Sequence, residues 1–203
     1  MENTMHHKGR RALLGAIAAG ALCAGVAATP LHAAAAATTS DTTKASVTFT
    51  AGELNLVSAP TLDFDSHEVS GDTENYEAVS VGDAIRVSDL RGSADGYKVT
   101  AALQNFQLGG SGDQTLLGSY ITIGKLTVSG VNGTTGTAPG MASSPVVLDS
   151  DGTVTDVLEA DEGAGSGIFD AELSATDTVL TVYPGATIGS HVAVLNWALE
   201  VAP

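Results

Sequence analysis

The sequence predicts an all-β fold, an antiparallel β-sandwich-like domain with room for two packed sub-sheets. Three observations carry this. Apolar and polar residues alternate with a period of two in short runs such as "SVTFTA" and "YKVTAAL", the pattern of strands buried on one face. Clusters of Gly, Asp and Asn punctuate those runs as turns. The composition is rich in Gly, Thr, Ser, Val and Ala and only 4% aromatic, which suits strands and turns rather than long helices.

The N-terminal region stands outside this pattern. "HHKGRR" is a basic stretch, "ALLGAIAAGALCAGVAA" an apolar run, and "PLHAAAAATT" offers small-residue cleavage sites. Residues 1–37 are therefore expected to be a cleaved secretory signal, leaving no membrane contact afterwards. The competing reading, a retained anchor, wants a longer apolar span and charged flanks on its far side. Residues 38–45, "TTSDTTKA", read as a polar leader, and 46–203 as one domain. Cys23 lies inside the signal, and Leu22 stands where lipid attachment wants a small residue. The domain thus has no cysteine, so neither disulfides nor thiolate metal sites can stabilise it, and core packing must.

Charge narrows the partners. Of eight basic residues Lys8, Arg10 and Arg11 leave with the signal, and of 23 acidic ones only Glu2, so 5 basic and 22 acidic remain, a net charge of −17. Nucleic acid is excluded as a partner because no basic stripe exists to neutralise phosphates.

The elements follow in order. "SVTFTA" puts Val47 and Phe49 on one face of an expected strand. "ELNLVSAP" does the same with Leu54 and Leu56 and stops at Pro60. "AIRVSDL", "YKVTAALQNF", "SYITIGKLTVSG", "SPVVLDS", "TVTDVLEA", "IFDAELSA" and "TVLTVY" continue in kind. Only the stretch around "TVTDVLEADEGA" has a weak helical look. The Gly-rich segment 129–145 is either a surface loop or a seam between two halves. "TVLTVY" (178–183), "PGATIGS" and "HVAVLNWALEVA" (191–202) read as an antiparallel hairpin with an extended loop.

Two of these strands carry an aromatic residue beside a branched aliphatic one. Residues two apart share a strand face, so Ala193, Leu195, Trp197, Leu199 and Val201 line one side of the last strand. "GYKVTAAL" repeats the device with Tyr97 and Val99. The sole tryptophan either closes a core or holds a ligand. Burying an indole at about 25 cal/mol per Å² favours the core, with an edge left reachable.

"VSDLRGSADGYKVTA" and "HVAVLNWALEVAP" resemble the two signature segments of the WxL-domain surface proteins of Gram-positive bacteria. "VTFTAGELNLVSAPTLDF", "SPVVLDSDGTVTDVLEADEGAGSG" and "TVLTVYPGATIGSHVAVLNWAL" follow that family's order, so the resemblance runs from Ser46 to Pro203. It implies a secreted, β-rich, non-catalytic protein at the cell surface. Such a protein binds the wall non-covalently, with peptidoglycan or another wall polymer as ligand, and acts alongside other surface proteins. The chain departs from the pattern at the proximal motif, which reads Tyr97–Lys98–Val99 instead of Trp–x–Leu, and at His191, Asn196 and Ala198. On this reading Trp197, Leu199, Tyr97 and Val99 shape the binding surface.

Arg86, Arg91 and Lys98 fall within 13 positions of one another around the proximal motif. As a positive island they could meet wall carboxylates or phosphates; the competing reading pairs them with Asp83, Asp89 and Asp95. Other chemistry is sparse. His67 and His191 are the only histidines of the domain, and no nucleophile constellation appears, so no catalytic residue, metal or cofactor is assigned. Asp149, Asp151 and Asp156 in "DSDGTVTD" make a poor calcium loop and a better tight turn. With no sorting motif before Pro203, attachment is expected to be non-covalent or through a partner. An adhesive or structural subunit binding other surface proteins is the alternative, and a secreted hydrolase with a carboxylate pair a third.

Overall fold

The computed structural model describes residues 43–113 and 116–202, and every regular element among them but one is a β-strand. The signal expected over 1–37, and most of the expected leader, lie outside the described residues. The chain divides into the units Met1–Ser46 and Val47–Pro203. Of the first, residues 43–46 are exposed and without regular structure.

Sixteen strands follow among the described residues. They are β1 (Leu54–Ser58), β2 (Leu62–Asp63), β3 (Glu74–Glu77), β4 (Ser80–Val81), β5 (Ile85–Asp89), β6 (Tyr97–Leu103), β7 (Gln107–Leu108) and β8 (Tyr120–Ile123). Then come β9 (Leu126–Gly130), β10 (Gly140–Met141), β11 (Val146–Asp149), β12 (Val154–Ala160), β13 (Gly167–Leu173), β14 (Thr178–Val182), β15 (His191–Val192) and β16 (Leu195–Val201). One 3-10 turn, Ala175–Asp177, precedes β14. Three four-stranded antiparallel sheets run β1-β5-β13-β9, β10-β12-β6-β16 and β11-β8-β14-β3, with small ribbons β15-β7 and β2-β4.

The sheets share one core. Ile85 and Val87 from β5, Val99 and Leu103 from β6, Ile121 and Ile123 from β8, and Val146 and Leu148 from β11 all meet there. This is the sandwich-like all-β architecture that the period-two pattern predicts. β6 is its most enclosed strand: even Thr100 and Ala102, on the face opposite Val99, are buried.

Several expectations are corrected. "SVTFTA" forms no strand, and Val47 and Phe49 are 74% and 87% exposed. The cause is a missing partner: the chain joins its neighbour only from Gly52, whose N–H donates to the Leu90 carbonyl at 2.8 Å, and β5 already ends at Asp89. The expected hairpin of 178–202 does not exist, because both edges of β14 are taken by β8 and β3, and β16 pairs with β6 instead. "TVTDVLEA" is strand β12, as its place among the strand runs predicts, and its weak helical look has a local cause. A β-bulge between Asp156 and Leu158 turns the consecutive Val157 and Leu158 both inward, which breaks the alternation and mimics helical spacing. "SYITIGKLTVSG" is two strands, β8 and β9, in different sheets. Segment 129–145 is no seam: β10 within it is added to β12.

Glycine is obligatory where the loop after β12 crosses β6. Gly165 has φ +76°, and a Cβ there would lie 2.5 Å from Tyr97 Cε1. Gly165→Ala is therefore expected to cost about 1–3 kcal/mol, read as a lower denaturation midpoint in urea.

Candidate functional site

The two aromatic strands lie side by side. In the β6–β16 ladder Trp197 is opposite Ala101, Leu199 opposite Val99, and Val201 opposite Tyr97. Directly opposed residues point to the same face. Tyr97 and Val99 are thus on one face with Trp197 and Leu199, a juxtaposition that alternation alone could not give. β16 is the last strand of its sheet and also lies against β1.

Exposure separates the two pairs. Tyr97 and Val99 have no accessible surface, whereas Trp197 and Leu199 are half-buried and pack on the core from its rim. Tyr97 and Val99 therefore belong to the core itself, beside that rim. Among the described residues the buried Tyr97 hydroxyl and the Trp197 Nε1 have no hydrogen-bond partner. Burial accordingly pushes the Tyr97 phenol up.

The three clustered cations are all engaged. Arg86 makes a two-pronged contact with Asp170, both bonds 2.6 Å. Arg91 grips the buried Asp89 at 2.9 and 2.8 Å and reaches the Gly96 carbonyl at 2.9 Å. Lys98 lies 2.9 Å from Asp156 and 3.3 Å from Glu159. Only Asp89 of the three nearby aspartates takes such a contact; the other partners come from β12 and β13, distant in sequence. With Glu200 opposite Lys98 in register, carboxylates outnumber the cation on that face. The guanidinium hydrogen bonds hold Asp89 and Asp170 below the usual carboxylate range.

The "DSDG" aspartates do not converge. Asp151 accepts from the Thr153 N–H at 2.8 Å in a turn completed by Gly152 at φ +86°, and Asp156 faces Lys98. Among the described residues no cluster of His, Cys, Asp or Glu is placed to hold a metal.

Sequence reasoning missed a cleft of about 1010 Å³ at the other end of the β6–β16 pair, where Leu103 and Leu195 form part of its floor. His67 stacks on Tyr76 in its wall, ring centroids 3.9 Å apart, and donates from Nε2 to the Phe64 carbonyl at 2.5 Å. "DFDSHEV" and "ENY" showed no alternation that could have announced it.

A model of the WxL domain surface cell wall-binding family matches residues 29–203. The chain belongs to that family. No curated protein and no solved structure matches it. The match gives this WxL domain a cell wall-binding role at the cell surface. No helix among the described residues is long and apolar enough to cross a membrane.

Two outcomes test this geometry. Tyr97→Phe removes a buried hydroxyl without a partner, so stability in urea should be unchanged or rise by about 1 kcal/mol. Asp89 and Asp170 bind fewer protons native than unfolded, so their contribution is full above about pH 4 and is lost as pH falls through their lowered native values. Urea midpoints followed from pH 6 to 2 should fall below about pH 4, and Asp89→Asn should flatten that limb.

Proposed function

We propose that this WxL domain is a secreted, non-catalytic protein that attaches to peptidoglycan without a covalent link. In this reading residues 1–37 direct export, 46–203 form the binding domain, and the protein works within a complex of surface proteins. The observation that carries it is the β6–β16 register, which sets Trp197 beside Ala101 and Leu199 beside Val99 at the rim of the core. A partly buried indole beside a leucine, on an edge strand, offers the apolar rim it leaves uncovered to a sugar ring or wall-peptide side chain. Tyr97 and Val99 support it from the core side of the same face. Arg86, Arg91 and Lys98 serve the fold, since each cation already has its carboxylate.

A second reading, binding of other surface proteins by strand addition, is favoured by β16 being a seven-residue edge strand without proline. Parallel pull-downs with purified peptidoglycan and with co-secreted surface proteins separate the two.

Co-sedimentation with insoluble peptidoglycan is the direct test. Wild type should pellet and Trp197→Ala should remain in solution, with Trp197→Phe intermediate, while circular dichroism shows all three folded. Arg86→Ala with Lys98→Ala should leave pelleting within about twofold, because exposed ion pairs are worth only about 0–1 kcal/mol. Loss of pelleting in that double variant with Trp197→Ala still bound would assign binding to the cations instead.

A further inference from the structure

The cleft beyond Leu103 and the unpaired stretch before Gly52 complement each other. The cleft floor is apolar, built from Leu103, Phe106, Ile121, Leu180 and Leu195. Its wall carries Asp63, Asp65, Glu68, Asp72 and Glu74, and among the described residues no Lys or Arg lines it. An anionic wall polymer is repelled from such a cleft; a chain that is apolar on one side and cationic at one end fits it. Beside it lies β3, the last strand of its sheet, with Glu74 and Tyr76 in the cleft wall. An edge strand of this kind accepts an added extended segment.

Residues 44–51, "KASVTFTA", have those properties. Val47 and Phe49, two positions apart, share one side whenever that stretch is extended; they are 74% and 87% exposed and belong to no strand. An exposed phenylalanine on strand-patterned sequence is a feature soluble domains normally cover. Lys44 stands three positions before Val47, and among the described residues only Lys44 and Lys125, of five Lys and Arg, take no part in an ion pair.

The segment cannot fill the cleft of its own molecule. It leaves the fold at Gly52, hydrogen-bonded to Leu90, beside the Asp89–Arg91 pair that reaches the Gly96 carbonyl at the start of β6. The cleft lies at the far end of that strand, seven residues away, about 20 Å. From Gly52 to Phe49 the chain reaches at most about 11 Å.

We infer that residues 44–51 of one molecule dock as an added strand beside β3 in the cleft of a second copy, with Val47 and Phe49 on its apolar floor and Lys44 at its acidic wall. Donor and acceptor sit at opposite ends of the domain, so the contact is head-to-tail and leaves a free segment at one end and an empty cleft at the other. Such a contact extends into rows or closes into rings. It goes beyond wall attachment and uses a different surface from Trp197.

The test uses the protein recovered from the medium of a secreting host and a labelled peptide of residues 43–53. The peptide should bind the Phe49→Asp protein, whose own segment no longer competes, by fluorescence anisotropy. Ala186→Arg, which sends a long cationic side chain into the cleft, should weaken that binding by about tenfold or more. Ile188→Asp, at a 90% exposed position on the cleft lip, should weaken it without risk to folding. In sedimentation velocity the wild type should form concentration-dependent oligomers, while Phe49→Asp and Ala186→Arg should each stay monomeric. Their equimolar mixture should yield heterodimers, since one keeps the cleft and the other the segment. A wild type monomeric at all concentrations, oligomers that survive Phe49→Asp, or peptide binding untouched by both cleft variants would overturn the inference. Phe49→Asp should still pellet with peptidoglycan, so the wall-binding reading stands or falls separately.

Discussion

The antiparallel pairing of β6 with β16 is the constraint on which the rest depends. β6 is enclosed on both faces, so its backbone polar groups must be satisfied by flanking strands rather than by water. β12 supplies one flank and β16 the other. Because pairing in register also sets side-chain direction, the same hydrogen bonds that complete the sheet bring Trp197 and Leu199 beside Ala101 and Val99 on one face. Stability and surface shape come from one interaction, so a change at Trp197 cannot be read as a change in ligand contact until the fold has been checked.

Most single strands were legible because their alternation reports directly on burial. β1, β5 and β6 all show the inward residues that "LNLVS", "IRVSD" and "YKVTAAL" announce. What failed was pairing. The hairpin expected from "TVLTVY" and "HVAVLNWALEVA" rested on sequence proximity, whereas the real partners of β16 and β14 are fixed by which edges the rest of the chain leaves open. The bulge in β12 defeated the pattern for a different reason: one extra residue shifts the phase, and two adjacent apolar side chains then look like one helical face.

The candidate site divides in the same way. The aromatic-plus-aliphatic teeth could be found by inspection, since each lies on one strand. Of the ion pairs only Arg91–Asp89, two positions apart, could be found in that way, because Asp170, Asp156 and Glu159 are 58 or more positions from their cations. The cleft was equally hidden: its lining comes from short segments with no period of their own. Acidity behaved as composition suggested, for even the local cluster of cations is outweighed by carboxylates once the chain is folded.

The position of β16 has a bearing on when the molecule can form. Val201 sits opposite Tyr97, about a hundred residues earlier, and such distant contacts are slow to assemble. Until the final strand arrives, the innermost strand keeps an open flank and the core stays unsealed. The core therefore closes only when segments about a hundred residues apart have met, and a chain held in extended form has little folded structure to lose.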